Sequence, residues 1–179
     1  MPKLTNIRPF TAADTDAVWE FFQRVPERDR TFAKEPVTDR ETVGAWSDRS
    51  RANRFVAWRE GSVVGYVAMI PGYGWSHHVG ELRVVVDPVM RGRGLGEKLA
   101  RYGLKVAVDA GLTKVTVDVA ASQEHVLGLF TRLGFHAEAL LEDQVQDPEG
   151  NFADLIVLAN RLDDDWHLLE TVGLDEVLD

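Results

Sequence analysis

The sequence predicts an α/β (α+β) fold, a single domain with a mixed, mostly antiparallel sheet flanked by helices. Three observations favour this class. Short strand-like segments recur along the chain, two amphipathic segments with helical spacing separate the later ones, and a glycine-rich loop joins a strand-like segment to a helical one. The 179 residues contain no internal repeat or long linker, so residues 1–179 are expected to form one domain with a core at about 4–161.

The first part of the chain is predicted to form one strand and two short helices. Residues 4–8 alternate and stop at Pro9, which is typical of a short strand. Thr11 and Thr38 are candidate helix caps, and the charged residues 24–37 between the two helices suit a surface connection. The apolar residues of the two helices are Val18, Phe21, Phe22, Val43 and Trp46.

A hairpin and a fourth strand follow. Residues 54–58 and 63–70 form the predicted hairpin, a Gly- and Pro-rich loop spans 71–78, and residues 81–86 form the fourth strand. A helix is predicted over 94–110, with its apolar stripe at Leu95, Leu99, Tyr102 and Val106. We expect this helix to connect the fourth strand to a parallel fifth strand.

The fifth strand is predicted over 114–119, followed by a helix capped by Ser122. Its apolar side contains Val126, Leu127, Phe130 and Leu133. Two final strands, 136–145 and 152–159, flank a type I turn at residues 147–150. The acidic tail, residues 162–179, is predicted to be helical.

Composition excludes several functional classes. The chain has no cysteine, so disulfides, thiolate catalysis and cysteine-ligated metal sites are excluded. Its net charge of −9 disfavours nucleic-acid binding and leans towards a cationic partner. No apolar run approaches the roughly 18 residues of a membrane span, and the N-terminus lacks the pattern of a secretory signal, so a cytoplasmic location is expected.

The loop Arg91-Gly92-Arg93-Gly94-Leu95-Gly96 is the strongest functional signal. Alternate glycines allow a ligand to approach the backbone, and the amides at the start of the following helix favour an anion such as a pyrophosphate. A dinucleotide fingerprint would need glycine at Glu97, and a Walker loop needs a Gly-Lys-Ser/Thr sequence that is not present.

The loop instead resembles the acetyl-CoA loop of the GNAT (Gcn5-related) N-acetyltransferases, [QR]-x-x-G-x-[GA], with Arg91, Gly94 and Gly96 at the defining positions. The lead-in Val84-Val85-Val86-Asp87-Pro88 is similar to the family's fourth strand. The later segment Leu129-Phe130-Thr131-Arg132-Leu133-Gly134-Phe135 resembles its second motif, L-Y-x-x-x-G-F.

This resemblance implies a sheet splayed between strands 4 and 5, where the pantetheine arm of acetyl-CoA inserts. The implied cofactor-binding residues are Val84, Val85, Val86, Arg91, Gly92, Arg93, Gly94, Leu95, Gly96, Glu97, Gln123 and Phe130. The backbone of Val84 and Val86 would bind pantetheine, and the amides of residues 92–97 would bind the pyrophosphate. No metal is expected.

Two carboxylates are candidate bases for deprotonating an acceptor amine. Glu81 lies at the start of the fourth strand, where many relatives have a base, and Asp118 lies near the end of the fifth, where some peptide-acetylating relatives have a glutamate. Either one is also explained as a solvated strand-end carboxylate. His77 and His78 titrate in the right range, but adjacent histidines in such a loop are more often surface residues.

The candidate proton donor departs from the family pattern. Phe130 occupies the usual tyrosine position, and Gln123 replaces the usual asparagine.

The family resemblance as a whole implies an acetyl-CoA-dependent N-acetyltransferase that transfers acetyl to a small-molecule amine or a peptide N-terminus by direct attack. The alternative is a non-catalytic acyl-CoA-binding or sensing module. Monomer and homodimer both remain open, and candidate acceptor-pocket residues are Phe22, Arg24, Phe32, Trp46, Tyr73 and Trp75.

Overall fold

The computed structural model describes residues 5–30, 33–48 and 52–162. The helix predicted in the acidic tail lies outside the described residues. The strands are β1 (Asn6–Pro9), β2 (Asn53–Arg59), β3 (Ser62–Pro71), β4 (Val79–Val86), β5 (Lys114–Ala120), β6 (His136–Gln146) and β7 (Phe152–Arg161). The helices are α1 (Thr15–Arg24), α2 (Glu27–Arg30), α3 (Arg40–Ala45), α4 (Leu95–Asp109) and α5 (Glu124–Arg132).

All seven strands form one sheet in the order β1-β2-β3-β4-β5-β7-β6. Every neighbouring pair is antiparallel except β4 and β5, which are parallel and connected by α4. This topology confirms the predicted mixed, mostly antiparallel sheet. Within the described residues, no helix is both long and apolar enough to cross a membrane.

The sheet is splayed between its two parallel strands. β4 pairs with β5 only over Val79–Glu81, opposite Lys114–Thr116. Beyond that point each strand remains paired on its outer side, β4 with β3 and β5 with β7. A gap therefore opens between the C-terminal halves of two strands that are otherwise held firmly in the sheet.

Two hydrophobic clusters cover the two faces of the sheet. Val67 and Met69 of β3 belong to a cluster that includes apolar residues of α4 and α5. The alternate residues Tyr66 and Ala68 belong to a second cluster, which includes apolar residues of α1 and α3. Because side chains alternate along a strand, residues of β4 and β5 can likewise be assigned to the α4 face or to the opposite face.

The buried side of α4 differs from the predicted stripe. Leu95 and Leu99 are buried as expected, but Tyr102 and Val106 are only half-buried. The remaining buried positions are Ala100, Gly103, Leu104 and Ala107. A Cβ at Gly103 would lie 2.4 Å from a side-chain carbon of Leu82, so glycine is what allows α4 to approach β4 this closely.

Two helix caps also differ from the predicted residues. Asp39, rather than Thr38, caps α3, and its carboxylate accepts hydrogen bonds from the amides of Glu41 and Thr42. Gln123, rather than Ser122, precedes α5 as its N-cap. In both cases the helix begins one residue later than the sequence pattern indicated, which is the usual uncertainty of a boundary.

Candidate active site

A cleft of about 1150 Å³ opens where β4 and β5 separate. Its walls are the C-terminal halves of these two strands, the glycine-rich loop, α5 and the turn between β6 and β7. The predicted cofactor-binding residues that line it are Val84, Val85, Val86, Arg91, Gly92, Gly94, Gly96, Glu97, Gln123 and Phe130. Arg93 is exposed, and the buried Leu95 side chain belongs to the core below α4, so neither lines the cleft.

The glycine-rich loop needs glycine at two positions. Gly92 has φ +70° and Gly94, the N-cap of α4, has φ +81°, both in the left-handed region that glycine adopts without strain. The amide of Lys98 donates to the Gly94 carbonyl at 3.0 Å. Since the first amides of a helix have no carbonyl partner within it, the start of α4 presents free N–H groups beside the cleft.

Hydrogen bonds fix which backbone groups of β4 point into the gap. The Val79 carbonyl accepts from Gly72 and the Asp87 amide donates to Val64, so these odd-numbered groups point towards β3. Backbone groups alternate sides along a strand, and the amides and carbonyls of Val84 and Val86 therefore point towards the opened gap. These are the two residues that the family resemblance implied as backbone partners of pantetheine.

A short helix from the preceding segment also reaches the cleft. Arg91 donates a hydrogen bond of 2.8 Å to the carboxylate of Asp29, which lies in α2. Arg28, Asp29 and Lys34 all line the cleft. Residues 24–37 were predicted to form a surface connection, and this prediction was partly wrong. Ala33 and Val37 are buried and anchor the segment against the domain.

The two candidate bases lie close together and share one cation. The Lys34 ammonium donates to Oε1 of Glu81 at 2.8 Å and also to Oδ2 of Asp118. Glu81 is the last residue of β4 that pairs with β5, opposite Thr116, so this contact lies at the point where the two strands separate. Both carboxylates project from the face opposite α4, since Leu82 and Val117 on either side of the gap pack towards α4.

The surrounding charges keep Glu81 and Lys34 ionised. Burial of Glu81 acts to raise its pKa, but hydrogen bonds from Arg83 and Lys34 outweigh burial and lower the pKa below its usual value. Burial of Lys34 acts to lower its pKa, but hydrogen bonds to Asp118 and Glu81 raise it overall. At neutral pH Glu81 is therefore a carboxylate and Lys34 an ammonium.

This cluster continues into the protein as a chain of alternating charges. Arg83 contacts Glu81 at 2.9 Å and Glu35 at 3.1 Å. Glu35 in turn forms two hydrogen bonds of 2.9 Å with Arg54, which is 8% exposed and stacks on Trp46. Arg54, at the buried end of this series of ion pairs, holds the Glu35 side chain in place, and Glu35 is the residue next to Lys34.

Lys34 and Glu35 were not identified from the sequence. They lie between two prolines in a charged segment with no periodicity, and nothing local distinguishes them from surface residues. Their partners are between 19 and 84 positions further along the chain. Only the topology of the sheet brings these residues together.

No tyrosine of the chain lines the cleft. Tyr66 is buried in the opposite cluster and its hydroxyl contacts Arg54; burial raises the pKa of this hydroxyl further than the arginine lowers it. Tyr73 is 90% exposed, and Tyr102 packs against Phe55. Phe130, at the usual tyrosine position, lines the cleft with a ring packed edge-on against Phe135 at 5.2 Å.

The other candidate residues are not brought into the cleft. His77 contacts the Gly74 carbonyl at 2.9 Å and the ring of His78, outside the cleft. Phe22 and Trp46 are core residues, and Arg24 is paired with the buried Asp87. Tyr73 and Trp75 are exposed, and Phe32 lies outside the described residues.

Comparisons with known proteins agree with this geometry. The model of the acetyltransferase (GNAT) family matches residues 15–135. The mycothiol acetyltransferase of Catenulispora acidiphila is 32% identical over 145 residues, which cover 75% of this chain and 44% of that protein. The chain thus spans less than half the length of this curated relative.

Solved structures with the same fold include two acetyltransferases. The ribosomal-protein-alanine N-acetyltransferase of Brucella melitensis has a TM-score of 0.76 and 25% identity, over 88% of this chain and 99% of that one. A Salmonella typhimurium protein described as an acetyltransferase, solved with acetyl-CoA, has a TM-score of 0.76 and 22% identity, over 90% and 95% of the two chains.

Proposed function

The chain belongs to the GNAT acetyltransferase family, and we propose that it is an N-acetyltransferase that transfers the acetyl group of acetyl-CoA to a primary amine. The observation that carries this proposal is the cleft itself. It opens where β4 and β5 separate, and it joins the glycine-rich loop at one side to the Glu81 and Asp118 carboxylates at the other. The Salmonella protein of the same fold contains acetyl-CoA, which supports this cofactor.

The residues of the cleft fit acetyl-CoA. The left-handed glycines Gly92 and Gly94 have open space where a Cβ would lie, so phosphate groups can approach the loop backbone. The free amides at the start of α4 suit a pyrophosphate, since a helix N-terminus favours anions. The gap-facing backbone of Val84 and Val86 would bind the amide groups of pantetheine as a neighbouring strand does.

Acetyl-CoA supplies an activated thioester, and the chain's own residues supply acid–base chemistry. The acceptor amine must lose a proton to attack the carbonyl carbon, forming a C–N bond as the C–S bond breaks. Glu81 or Asp118 accepts that proton, directly or through water. Both acetyl-CoA and acceptor would be bound together, because the two carboxylates line the same cleft as the loop.

Within the described residues, the cleft has no tyrosine that could protonate the departing CoA thiolate. Phe130 cannot donate a proton, and the chain's three tyrosines lie elsewhere. This observation favours the second candidate function, a module that binds acyl-CoA without turnover. The first function requires the thiolate to leave unassisted, or with a proton from water or from a cleft side chain other than a tyrosine.

Release of CoA thiol with a broad panel of primary amines separates the two functions. We expect acceptor-dependent release, and Glu81→Gln and Asp118→Asn should each reduce kcat about 10²-fold or more if that carboxylate is the base. Glu138→Gln is the matched control, because Glu138 also pairs with a lysine, Lys114, but lies outside the cleft. Acetyl-CoA binding with no acceptor-dependent release would favour the binding module.

A further inference from the structure

We propose that the Lys34 ammonium occupies the subsite of the acceptor's own ammonium, so that the acceptor is a cationic primary amine that must displace Lys34 from between Glu81 and Asp118. This inference rests on the proposed function and specifies its substrate class. Lys34 would then act as a tethered competitor that determines which amines are accepted.

The geometry places a primary ammonium where the acceptor amine is needed. The Lys34 ammonium contacts both candidate bases at the point where β4 and β5 separate. Its side chain is 34% exposed and lines the cleft, so the same position is accessible to a ligand. An acceptor amine bound there would already contact the carboxylates that take its proton.

The two carboxylates require a cation between them. Within the part of the chain that the structure describes, Lys34 is the cation paired with Asp118, whereas Glu81 is also paired with Arg83. Without Lys34, two negative groups would face each other across a partly buried gap, which is unfavourable. An incoming ammonium that replaces Lys34 restores this balance, while a neutral acceptor does not.

The backbone at Lys34 allows the side chain to leave without moving the segment. Lys34 has φ +57°, a left-handed conformation that is costly for a residue with a side chain and often marks functional sites. The flanking residues hold it there: Ala33 is buried and its carbonyl accepts from Arg83, and Glu35 is paired with Arg54 and Arg83. Rotation of the lysine side chain alone is therefore enough to vacate the subsite.

The test uses n-butylammonium, which corresponds to the lysine side chain beyond Cα, and its neutral analogue n-butanol. Calorimetry on the whole protein measures their binding to wild type, Lys34→Ala and the matched control Lys114→Ala. Lys114 likewise pairs with a carboxylate, at 2.6 Å from Glu138, but outside the cleft. Lys34→Gly is the second variant. Glycine adopts a positive φ without strain, so this variant should fold even if alanine at position 34 destabilises the protein.

We expect Lys34→Ala and Lys34→Gly to bind n-butylammonium about tenfold or more tightly than wild type, equivalent to about 1.4 kcal/mol. Neither variant should gain affinity for n-butanol, and Lys114→Ala should match wild type. With acetyl-CoA present, kcat/KM for n-butylamine should rise mainly through a lower KM. Folded Lys34 variants that gain no affinity for n-butylammonium would overturn the proposal.

Acetyl-CoA binding, measured separately in the same proteins, distinguishes failure of this inference from failure of the proposed function. If wild type does not bind acetyl-CoA, the proposed function fails, but n-butylammonium binding to the variants still decides whether the ammonium subsite exists. If acetyl-CoA binds and n-butylammonium affinity is unchanged, the fault lies with the Lys34 subsite alone.

Discussion

Replacing Gly94 with alanine should weaken acetyl-CoA binding far more than it weakens the fold. Gly94 has φ +81°, and Gly111, just after α4, has φ +72°. At both positions a Cβ would meet no protein atom within 4 Å. The two substitutions therefore introduce the same backbone strain and no steric clash within the protein, but only Gly94 lines the cleft.

The expected magnitudes follow from the conformation and from the loop amides. A left-handed conformation costs an alanine about 1–2 kcal/mol, so both variants should lose that much free energy of unfolding. A hydrogen bond to a charged group contributes about 1.5–3 kcal/mol. Misalignment of one loop amide in Gly94→Ala should thus reduce acetyl-CoA affinity about 10- to 100-fold.

Calorimetric titration with acetyl-CoA and urea unfolding of the same samples give both quantities. Gly111→Ala should share the loss of stability and keep the wild-type dissociation constant. Equal acetyl-CoA affinity in folded Gly94→Ala and Gly111→Ala would show that the cofactor does not contact the loop, and the proposed cleft would be wrong.

Three further predictions test the packing, the charges and the missing acid. Gly103→Ala should destabilise the protein, because the new Cβ would lie 2.4 Å from a leucine side-chain carbon of β4. Gly128→Ala should instead stabilise it by up to about 1 kcal/mol, because its Cβ would lie 3.6 Å from the end of a flexible arginine side chain. A thermal unfolding series that ranks the two variants the other way would contradict the close packing of α4. The hydrogen bond from Arg8 lowers the pKa of the buried Asp14 carboxyl below its usual value of 3.8. This interaction therefore stabilises the fold at pH values above 3.8, and its contribution is lost as the pH falls through the lower pKa of the folded state. Asp14→Asn should therefore lower the melting temperature at pH 7 and match wild type near pH 2; an equal deficit at both pH values would refute this. Phe130→Tyr should raise kcat, by up to about 10²-fold if the hydroxyl reaches the leaving sulfur, with little change in acetyl-CoA affinity; unchanged kcat in the folded variant would mean that thiolate departure does not limit the rate.

The parts of the fold that the sequence predicted well are those with a local physical cause. The alternating strands, the turn at residues 147–150 and the glycine-rich start of α4 depend on neighbours in sequence. The α4 stripe was predicted less well, because Gly103 is buried by its close contact with Leu82 and glycine carries no hydrophobic signal.

The same distinction applies to the candidate site. The loop was predicted from a motif, and Glu81 and Asp118 from their strand positions in the family resemblance; the structure places all three around one cleft. Lys34 was missed because its contacts are with residues 47 and 84 positions away. The sequence around Lys34, a charged segment between two prolines, predicts only an exposed residue, because its partners become its neighbours only in the folded sheet.

Hydrogen–deuterium exchange with and without acetyl-CoA tests most directly whether this chain holds the cofactor between β4 and β5. If it does, acetyl-CoA should slow exchange at the gap-facing amides of Val84 and Val86 and at the amides of the glycine-rich loop, whose residues Gly92, Gly94, Gly96 and Glu97 line the cleft. The amides of β2, none of whose residues lines the cleft, should be unchanged. Saturating acetyl-CoA that leaves these β4 and loop amides unprotected, or protects β2 instead, would contradict the cleft as the cofactor site.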